Sequence, residues 1–262
     1  MNGRVEFYCF SGTGNTLLAA RRVAEVLRAG GVPVVLRRLD KADSAAVPAR
    51  EPGVTLGLAF PVAAFSTYPL VWRFIEALPP GRGTPVFMLA TMGGFSGLLV
   101  GPLKRLLLSK GYLPLAACEV RMPGNYLIRC RPLEECRGRL EGGLRVAEAF
   151  GRDLLEGRAR WRRFSPLPYA VVRWFWTHAA RSFAKDGKKF HADSATCTRC
   201  GGCVRMCPVA NISLPADGGV PVWSGACEMC QRCIAFCPEH AVSGPRGATG
   251  RYRAVVVAEL EK

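Results

Sequence analysis

The chain has 262 residues, 49% of them hydrophobic and 21% charged, and these proportions exclude an intrinsically disordered protein. The net charge of +16 favours an acidic partner, which would be a redox protein, an anionic lipid surface or nucleic acid. The sequence contains no stretch of about 18 uninterrupted apolar residues and no signal-peptide pattern, so we expect a cytoplasmic protein without a membrane-spanning helix.

The first half of the chain alternates apolar runs with helical patterns. Strands are predicted at Val5–Phe10, Val32–Leu39, Val54–Val62, Pro85–Ala90 and Leu113–Val120. Helices are predicted at Thr16–Ala29, Tyr68–Leu78, Ser96–Lys110 and Leu133–Leu155. Five strands that alternate with helices predict an α/β domain with a doubly wound parallel sheet.

The loop after the first predicted strand reads "SGTGNT" (11–16). A nucleoside triphosphate loop requires a lysine after its glycines, and this loop has none. A dinucleotide fingerprint requires a third glycine where Leu17 stands, although Asp40 at the end of the second strand keeps that interpretation open. The third interpretation is a phosphate monoester held by backbone N–H groups, by the hydroxyls of this loop and by the dipole of the following helix.

This loop resembles the phosphate loop of flavodoxins, which binds the phosphate of FMN. The resemblance implies a flavodoxin-like, five-stranded parallel sheet, with the flavin ring held by "FPVAAFSTYP" (60–69) and "TMGGFSG" (91–97). The implied phosphate-binding residues are Ser11, Gly12, Thr13, Gly14, Asn15 and Thr16. The implied ring-binding residues are Pro61, Val62, Ala63, Ala64, Phe65, Thr91, Met92, Gly93, Gly94 and Phe95. Either phenylalanine would stack on the ring or pack in the core.

Eight of the twelve cysteines fall in two identically spaced runs, "CTRCGGCVRMCP" (197–208) and "CEMCQRCIAFCP" (227–238). Thiolates are soft ligands, and the spacing C-x2-C-x2-C-x3-C-P is typical of iron–sulfur clusters. A pair of zinc knots is the alternative, because C-x2-C is also a zinc spacing. The proline-closed pattern, present twice, favours two [4Fe–4S] clusters over zinc.

Residues 191–245 resemble bacterial two-cluster ferredoxins, which implies a small α+β domain. The resemblance also implies crossed ligation, in which three cysteines of each run bind one cluster and the fourth binds the other. The first cluster would be bound by Cys197, Cys200, Cys203 and Cys237. The second cluster would be bound by Cys207, Cys227, Cys230 and Cys233.

Between the two motifs lies a basic, aromatic stretch, residues 158–190. Residues 121–190 carry 16 Lys and Arg against 7 Asp and Glu, whereas residues 191–262 are nearly neutral with 7 against 6. The stretch would form a surface-lying membrane helix, or an interdomain helix whose aromatic side chains pack against both domains. We favour the second, because a tethered cluster domain needs an apolar docking element.

The whole chain therefore resembles a flavodoxin domain fused to a two-cluster ferredoxin domain. We expect an FMN-binding domain at 1–157, a linker or docking segment at 158–190, and a two-cluster domain at 191–262. The tail "RYRAVVVAEL" (251–260) is predicted to form one more strand.

The expected function is electron transfer between two [4Fe–4S] clusters and FMN, and on to or from a redox partner that is acidic. The alternative is a flavin-dependent reductase in which the clusters feed FMN to reduce a bound substrate; Thr67, Tyr68 and Tyr126 are its candidate proton donors. A membrane or nucleic-acid adaptor with structural clusters is a further alternative. No nucleic-acid motif accompanies the positive charge, so we expect no nucleic-acid partner.

Overall fold

A computed structural model describes residues 3–41, 52–97, 99–125, 133–162, 169–245 and 252–261. Its centre is a sheet of five parallel strands, with the order β2-β1-β3-β4-β5. The strands are β1 (Arg4–Cys9), β2 (Val34–Arg38), β3 (Val54–Pro61), β4 (Pro85–Met92) and β5 (Leu113–Arg121). This is the flavodoxin-like, doubly wound order, so the predicted fold of the N-terminal half is confirmed.

The register of the parallel strands places apolar side chains of neighbouring strands next to each other on both faces of the sheet. Phe7 of β1 lies opposite Leu36 of β2 and Gly57 of β3. A Cβ at Gly57 would stand 2.6 Å from the rings of both Phe7 and Phe87, so only glycine fits between these two side chains. The three central strands, β1, β3 and β4, are buried on both faces, as parallel strands covered by helices must be, whereas the edge strands β2 and β5 are partly exposed.

Helices cover the two faces of the sheet. They are α1 (Asn15–Ala29), α2 (Pro69–Ala77), α3 (Val100–Ser109) and α4 (Leu133–Leu155), and a short 3-10 helix spans Leu39–Lys41. Buried residues of α1 and α4 pack with Phe7 and Leu89 on one face, whereas buried residues of α2 and α3 pack with Tyr8 and Met88 on the other. Neighbouring strand residues thus point to opposite faces.

The C-terminal part consists of short elements. These are α5 (Tyr169–Gly187), β6 (His191–Ala192), α6 (Gly202–Met206), β7 (Ile212–Ser213), β8 (Val222–Trp223), α7 (Arg232–Ala235), β9 (Val242–Ser243) and α8 (Val257–Glu261). Antiparallel pairs join β6 to β9 and β7 to β8. The small α+β fold expected of the cluster domain is confirmed.

Helix α5 lies in the basic, aromatic stretch and packs between the two halves of the chain. Trp176 and Phe183 are buried in the same apolar cluster as residues of α2, α3 and the cysteine-rich part. Trp161, just before α5, is also buried, and its indole N–H donates to the carbonyl oxygen of Val100 at 3.1 Å. Trp174 is 64% exposed. Within the described ranges, no helix is long and apolar enough to cross a membrane.

The strand predicted for the tail is wrong. The described part of the tail ends in helix α8, and the backbone N–H of Ala254 donates to the carbonyl oxygen of Thr13 at 2.8 Å instead of joining a sheet edge. The side chain of Glu259 accepts a hydrogen bond from the N–H of Val256 at 3.0 Å and a second from Arg21 of α1 at 3.1 Å. These contacts favour a helical turn against α1.

Candidate functional site

The predicted phosphate loop connects β1 to α1 and leaves the N-terminus of α1 open. Gly14 caps the helix in the left-handed region (φ +104°), no side chain bonds to the cap, and the first turn has no acidic residue. Ser11 Oγ accepts a hydrogen bond from the N–H of Gly14 at 3.0 Å, which fixes the loop. The N–H groups of a first helical turn have no partner within the helix, so this end of α1 suits an anion.

The carboxyl ends of the strands surround a cavity of about 260 Å3. All three loops predicted to hold FMN line it. The lining residues are Ser11, Gly12, Thr13, Asn15, Thr16, Pro61, Val62, Ala63, Ala64, Tyr68, Thr91, Met92, Gly93, Met122, Pro123, Gly124, Asn125, Phe183 and Met229. No charged side chain is among these described residues, so the cavity offers neutral hydrogen-bond donors beside apolar walls.

Hydrogen bonds join the loops around this cavity. Thr16 Oγ1 and Thr91 Oγ1 lie 2.7 Å apart, which connects the phosphate loop to the end of β4. Asn15 Nδ2 donates to the carbonyl oxygen of Pro123 at 2.8 Å, and Asn125 Nδ2 donates to Thr13 Oγ1 at 2.6 Å. The polar side chains of the loop therefore also position the segment after β5.

Three parts of the cavity wall were not predicted from the sequence. They are residues 122–125 after β5, Phe183 of α5, and Met229 of the second cysteine run. In addition, the hydroxyl of Tyr252 in the tail donates to Asn15 Oδ1 at 2.9 Å. The position of 122–125 at the carboxyl end of a parallel strand was the available signal for that segment.

Phe65 and Phe95, the predicted stacking residues, do not line the cavity. Each is 59% exposed, and their ring centroids lie 6.3 Å apart in an edge-to-face arrangement. Gly97 permits this approach of the two loops, because a Cβ there would stand 2.3 Å from the Cβ of Phe65. The core alternative is wrong for both rings, and their stacking on a flavin stays a prediction. Gly94, also predicted, does not line the cavity either.

The dinucleotide interpretation needed Asp40 to be free for a ribose. Its carboxylate is 1% exposed and accepts hydrogen bonds from Arg38 and Arg232, both at 2.7 Å. Burial acts to raise the pKa of Asp40, but the two guanidinium groups outweigh burial and hold the pKa below its ordinary value. Asp40 therefore serves as a counterion inside the protein.

The candidate proton donors of the reductase alternative are placed differently. Tyr68 lines the cavity, whereas the hydroxyl of Thr67 is buried and donates to the carbonyl oxygen of Pro61 at 2.8 Å. Tyr126 lies outside the described residues.

The cysteines assigned to the first cluster lie together. Cys197, Cys200, Cys203 and Cys237 line one small cavity, so a cysteine of the second run joins three of the first. Burial raises the pKa of Cys203 to about 11, and the neighbouring Cys200 and Cys197 add to the shift. Cys200 is exposed to solvent.

The cysteines assigned to the second cluster are more deeply buried. Burial raises the pKa of Cys227 to about 11 and that of Cys230 to about 12, and the nearby Cys207 adds to both shifts. Cys233 is 8% exposed. A buried thiolate is costly unless a positive centre accompanies it, and an iron–sulfur core supplies that centre.

Among the described residues, no three His, Cys, Asp or Glu side chains converge as a single metal ion requires. This finding concerns a single ion. The thiolates of a [4Fe–4S] cluster bind four different irons and stand farther apart.

The second cysteine run is packed against the phosphate loop. A Cβ at Gly12 would stand 2.3 Å from the carbonyl oxygen of Cys230, so only glycine allows this approach. The guanidinium of Arg232 donates to the carbonyl oxygen of Ser11 at 2.8 Å and to Asp40 at 2.7 Å. Glu228, 6% exposed, accepts hydrogen bonds from the N–H of Leu70 at 2.9 Å and from the side chain of Arg73 at 2.7 Å.

Comparisons with known proteins agree with this description. Residues 189–238 match the family described as 4Fe-4S dicluster domain. No curated protein sequence matches the chain.

Several solved structures are similar to the N-terminal part. A Megasphaera elsdenii flavodoxin is 25% identical, covers 54% of this chain and 98% of its own, and gives a TM-score of 0.41. A Streptococcus pneumonia TIGR4 flavodoxin is 18% identical, with coverage of 56% and 96% and a TM-score of 0.42. Flavodoxin 2 from Bacillus cereus is 15% identical, with coverage of 59% and 99% and a TM-score of 0.43. The assignment of the fold rests on the strand order of the sheet.

The chain thus combines a flavodoxin-like fold with a C-terminal 4Fe-4S dicluster domain. These two parts define the class of the molecule, an iron–sulfur electron-transfer redox protein.

Proposed function

We propose that this protein carries electrons between two [4Fe–4S] clusters and FMN, and on to or from a redox partner. The observation that carries the proposal is the contact between the second cysteine run and the predicted flavin site. Met229 lines the cavity, and its neighbour Cys230 lies against Gly12 of the phosphate loop. Cofactors bound at these two places would be neighbours within one chain.

The residues at the cavity suit FMN. The uncapped N-terminus of α1, with Ser11, Thr13 and Thr16 beside it, would hold the phosphate without a lysine. Apolar side chains from three separate elements, Met122, Phe183 and Met229, would cover the flavin and exclude water.

The cysteines suit two clusters with crossed ligation. One set of four lines a single small cavity, and the other set is partly to fully buried, where burial and the nearby Cys207 raise the pKa of Cys227 and Cys230. When bound, FMN exchanges two electrons together with protons from water, and each cluster exchanges one electron, so two clusters match one flavin. The chain holds these groups together and replaces an encounter between separate proteins.

The external donor or acceptor would be a one-electron redox protein. The net charge of +16 would guide an acidic one to this chain. Each cluster with four thiolates and the FMN phosphate contribute about −2 apiece, which leaves the loaded protein basic.

Cofactor analysis after anaerobic purification tests the proposal. We expect about eight irons, eight sulfides and one FMN per chain, as two four-iron clusters and one flavin require. Zinc in place of iron, or iron without flavin, would contradict it.

A substitution in the phosphate loop tests the flavin assignment separately. Thr13 is 2% exposed and lines the cavity, so Thr13→Glu would place a second negative charge beside the phosphate. We expect loss of the flavin absorbance with the iron content unchanged, whereas Thr13→Ser should retain the flavin. A full flavin spectrum in Thr13→Glu would show that the phosphate lies elsewhere.

A further inference from the structure

Two buried side-chain nitrogens beside the second cluster site find no hydrogen-bond partner among the residues that the structure describes. They are Asn211 Nδ2 and Trp223 Nε1. Asn211 is 2% exposed and Trp223 is 9% exposed, so water does not reach them freely. Because a buried N–H without a partner is costly, native proteins leave few of them, and those few need an explanation.

The position of Asn211 is fixed by four hydrogen bonds, one of them from the backbone N–H of Ser224 to its carbonyl oxygen at 2.9 Å. Its backbone N–H donates to the sulfur of Cys207 at 3.2 Å. Its side-chain oxygen accepts from the hydroxyl of Ser224 at 3.0 Å and from the backbone N–H of Ala226 at 2.5 Å. Since a backbone N–H can only donate, the accepting atom is the oxygen, and the free atom of this amide is the NH2 group.

Asn211 therefore lies between two predicted ligands of the same cluster. On one side it contacts Cys207, and on the other it contacts Ala226, the residue before Cys227. The second nitrogen belongs to the same hairpin, because Ile212 of β7 pairs with Trp223 of β8.

Trp223 lies beside a third ligand. Both side chains are buried in the same apolar cluster, and the indole of Trp223 lies near enough to Cys233 to oppose the raising of that thiol's pKa by burial, although no hydrogen bond of normal geometry joins the two. The ring is held in place by packing nearly parallel to Phe190, with the centroids 6.2 Å apart.

We propose that Asn211 and Trp223 donate N–H hydrogen bonds to sulfur atoms of the cluster bound by Cys207, Cys227, Cys230 and Cys233, and so raise its reduction potential. This inference rests on the proposed function. Reduction adds negative charge to the cluster, and an N–H directed at its sulfurs stabilises the reduced form more than the oxidised form.

Trp223→Phe is the cleanest test, because it removes the N–H and keeps an aromatic ring to pack on Phe190. We expect the one-electron reduction equilibrium of the second cluster to shift about tenfold toward the oxidised form, which is about 59 mV lower in potential. The potential of the first cluster should not change. An EPR-monitored redox titration of the fully loaded protein measures both, and Cys207→Ser identifies the signal of the second cluster.

Asn211→Asp is the companion variant, since it keeps the oxygen that accepts from Ala226 and replaces the NH2 group. It should lower the same potential. The matched controls are Trp161→Phe, which removes the indole N–H bonded to Val100, and Ser224→Ala, which removes one donor to Asn211 but leaves its NH2 group. Neither control should shift the second cluster.

A spectroscopic readout separates the hydrogen bond from a structural role. Electron–nuclear double resonance in H2O and D2O should detect exchangeable protons coupled to the second cluster, with one coupling lost in Trp223→Phe. If the Asn211→Asp variant does not bind the second cluster, the potential measured for the Trp223→Phe variant tests the inference by itself. Full iron content with an unchanged second potential, or equal shifts of both clusters, would overturn the inference. Absence of flavin or iron from the wild-type protein would instead contradict the proposed function.

Discussion

The two cysteine runs have identical spacing but different surroundings. In the first run, Arg199 and Cys200 are exposed. In the second run, Met229 and Arg232 are 2% exposed and Ile234 is 1% exposed, because this run packs against the carboxyl edge of the parallel sheet. The cysteine spacing determines which metal centre a run binds, whereas the surrounding residues determine which groups lie close enough to exchange electrons with that centre. The exposed run faces solvent, and the buried run faces the cavity in which we propose that FMN binds.

A buried charge pair holds the second run in its place. Arg232 and Asp40 are nearly inaccessible to water, and the guanidinium also donates to the carbonyl oxygens of Ser11 and Met206. It lies 5.0 Å from the ring centroid of Phe10. Since every buried charge here has a partner, the arrangement fixes one docking geometry, as buried ion pairs do in some proteins.

The largest effect is expected from breaking that pair. Arg232→Met would remove one of the two guanidinium groups paired with the buried Asp40, together with the donor to the carbonyl oxygens of Ser11 and Met206, so the free energy of unfolding should fall by about 3–5 kcal/mol. Denaturant unfolding followed by far-UV circular dichroism measures the loss. The control is the double variant Arg232→Met with Asp40→Leu, which removes both charges and should recover much of the stability. Equal losses in the single and double variants would contradict the role of the charge pair.

A smaller effect, on the rate of electron transfer, is expected from a change at the contact between the phosphate loop and the second cysteine run. Gly12→Ala would place a Cβ 2.3 Å from the carbonyl oxygen of Cys230, and backbone atoms must shift to relieve this clash. We expect slower reduction of the flavin by way of the clusters, with iron content retained, as stopped-flow absorbance would show. Gly138→Ala in α4 is the matched control, because a Cβ there meets nothing within 4 Å and the residue does not line the cavity. Equal flavin reduction rates in the two variants would show that this contact does not matter.

The smallest effect is expected from the surface charge of the segment before α5. Arg160 and Arg162 are exposed, and residues 121–190 carry most of the positive excess. Changing both arginines to glutamate should slow reduction by an acidic ferredoxin or flavodoxin and weaken the salt dependence of its rate. Cofactor content should stay constant. If the same variant instead loses binding to anionic vesicles while its reduction rates are unchanged, the membrane interpretation of residues 158–190 is favoured.

Much of the fold could be predicted because apolar runs and glycines carry strong local signals. Each of the five strands begins and ends within two residues of its prediction, and Leu133–Leu155 forms a helix with the predicted bounds. The loop between β1 and α1 could be located because hydroxyl and glycine residues between a strand and a helix have few structural uses, and its binding of a phosphate stays a prediction. The iron–sulfur domain could be predicted because the spacing of its cysteines is typical of iron–sulfur clusters.

The rest could not be predicted because it depends on contacts between distant parts of the chain. The tail has the composition of a strand, yet it lies on the phosphate loop, where its backbone bonds to Thr13. Met229 is an ordinary residue inside a cysteine motif, and nothing in the local sequence shows that it lines the cavity at the carboxyl edge of the sheet. From the sequence alone, Arg232 would be predicted to lie at the surface. Its burial depends on an ion pair with Asp40, which follows β2 and is distant from Arg232 in the sequence.

The central claim is that electrons pass between the flavin and the cluster held by the buried run. Its most direct test is stopped-flow reduction of Cys207→Ser, which removes a predicted ligand of the second cluster although the residue belongs to the first run. The fully loaded protein would be mixed anaerobically with a one-electron donor protein while flavin absorbance is followed. We predict that flavin reduction in Cys207→Ser falls to the rate of direct reduction by the donor, while the first cluster is still reduced at the wild-type rate. Flavin reduction at the wild-type rate, in a variant shown by iron analysis to have lost the second cluster, would contradict the account.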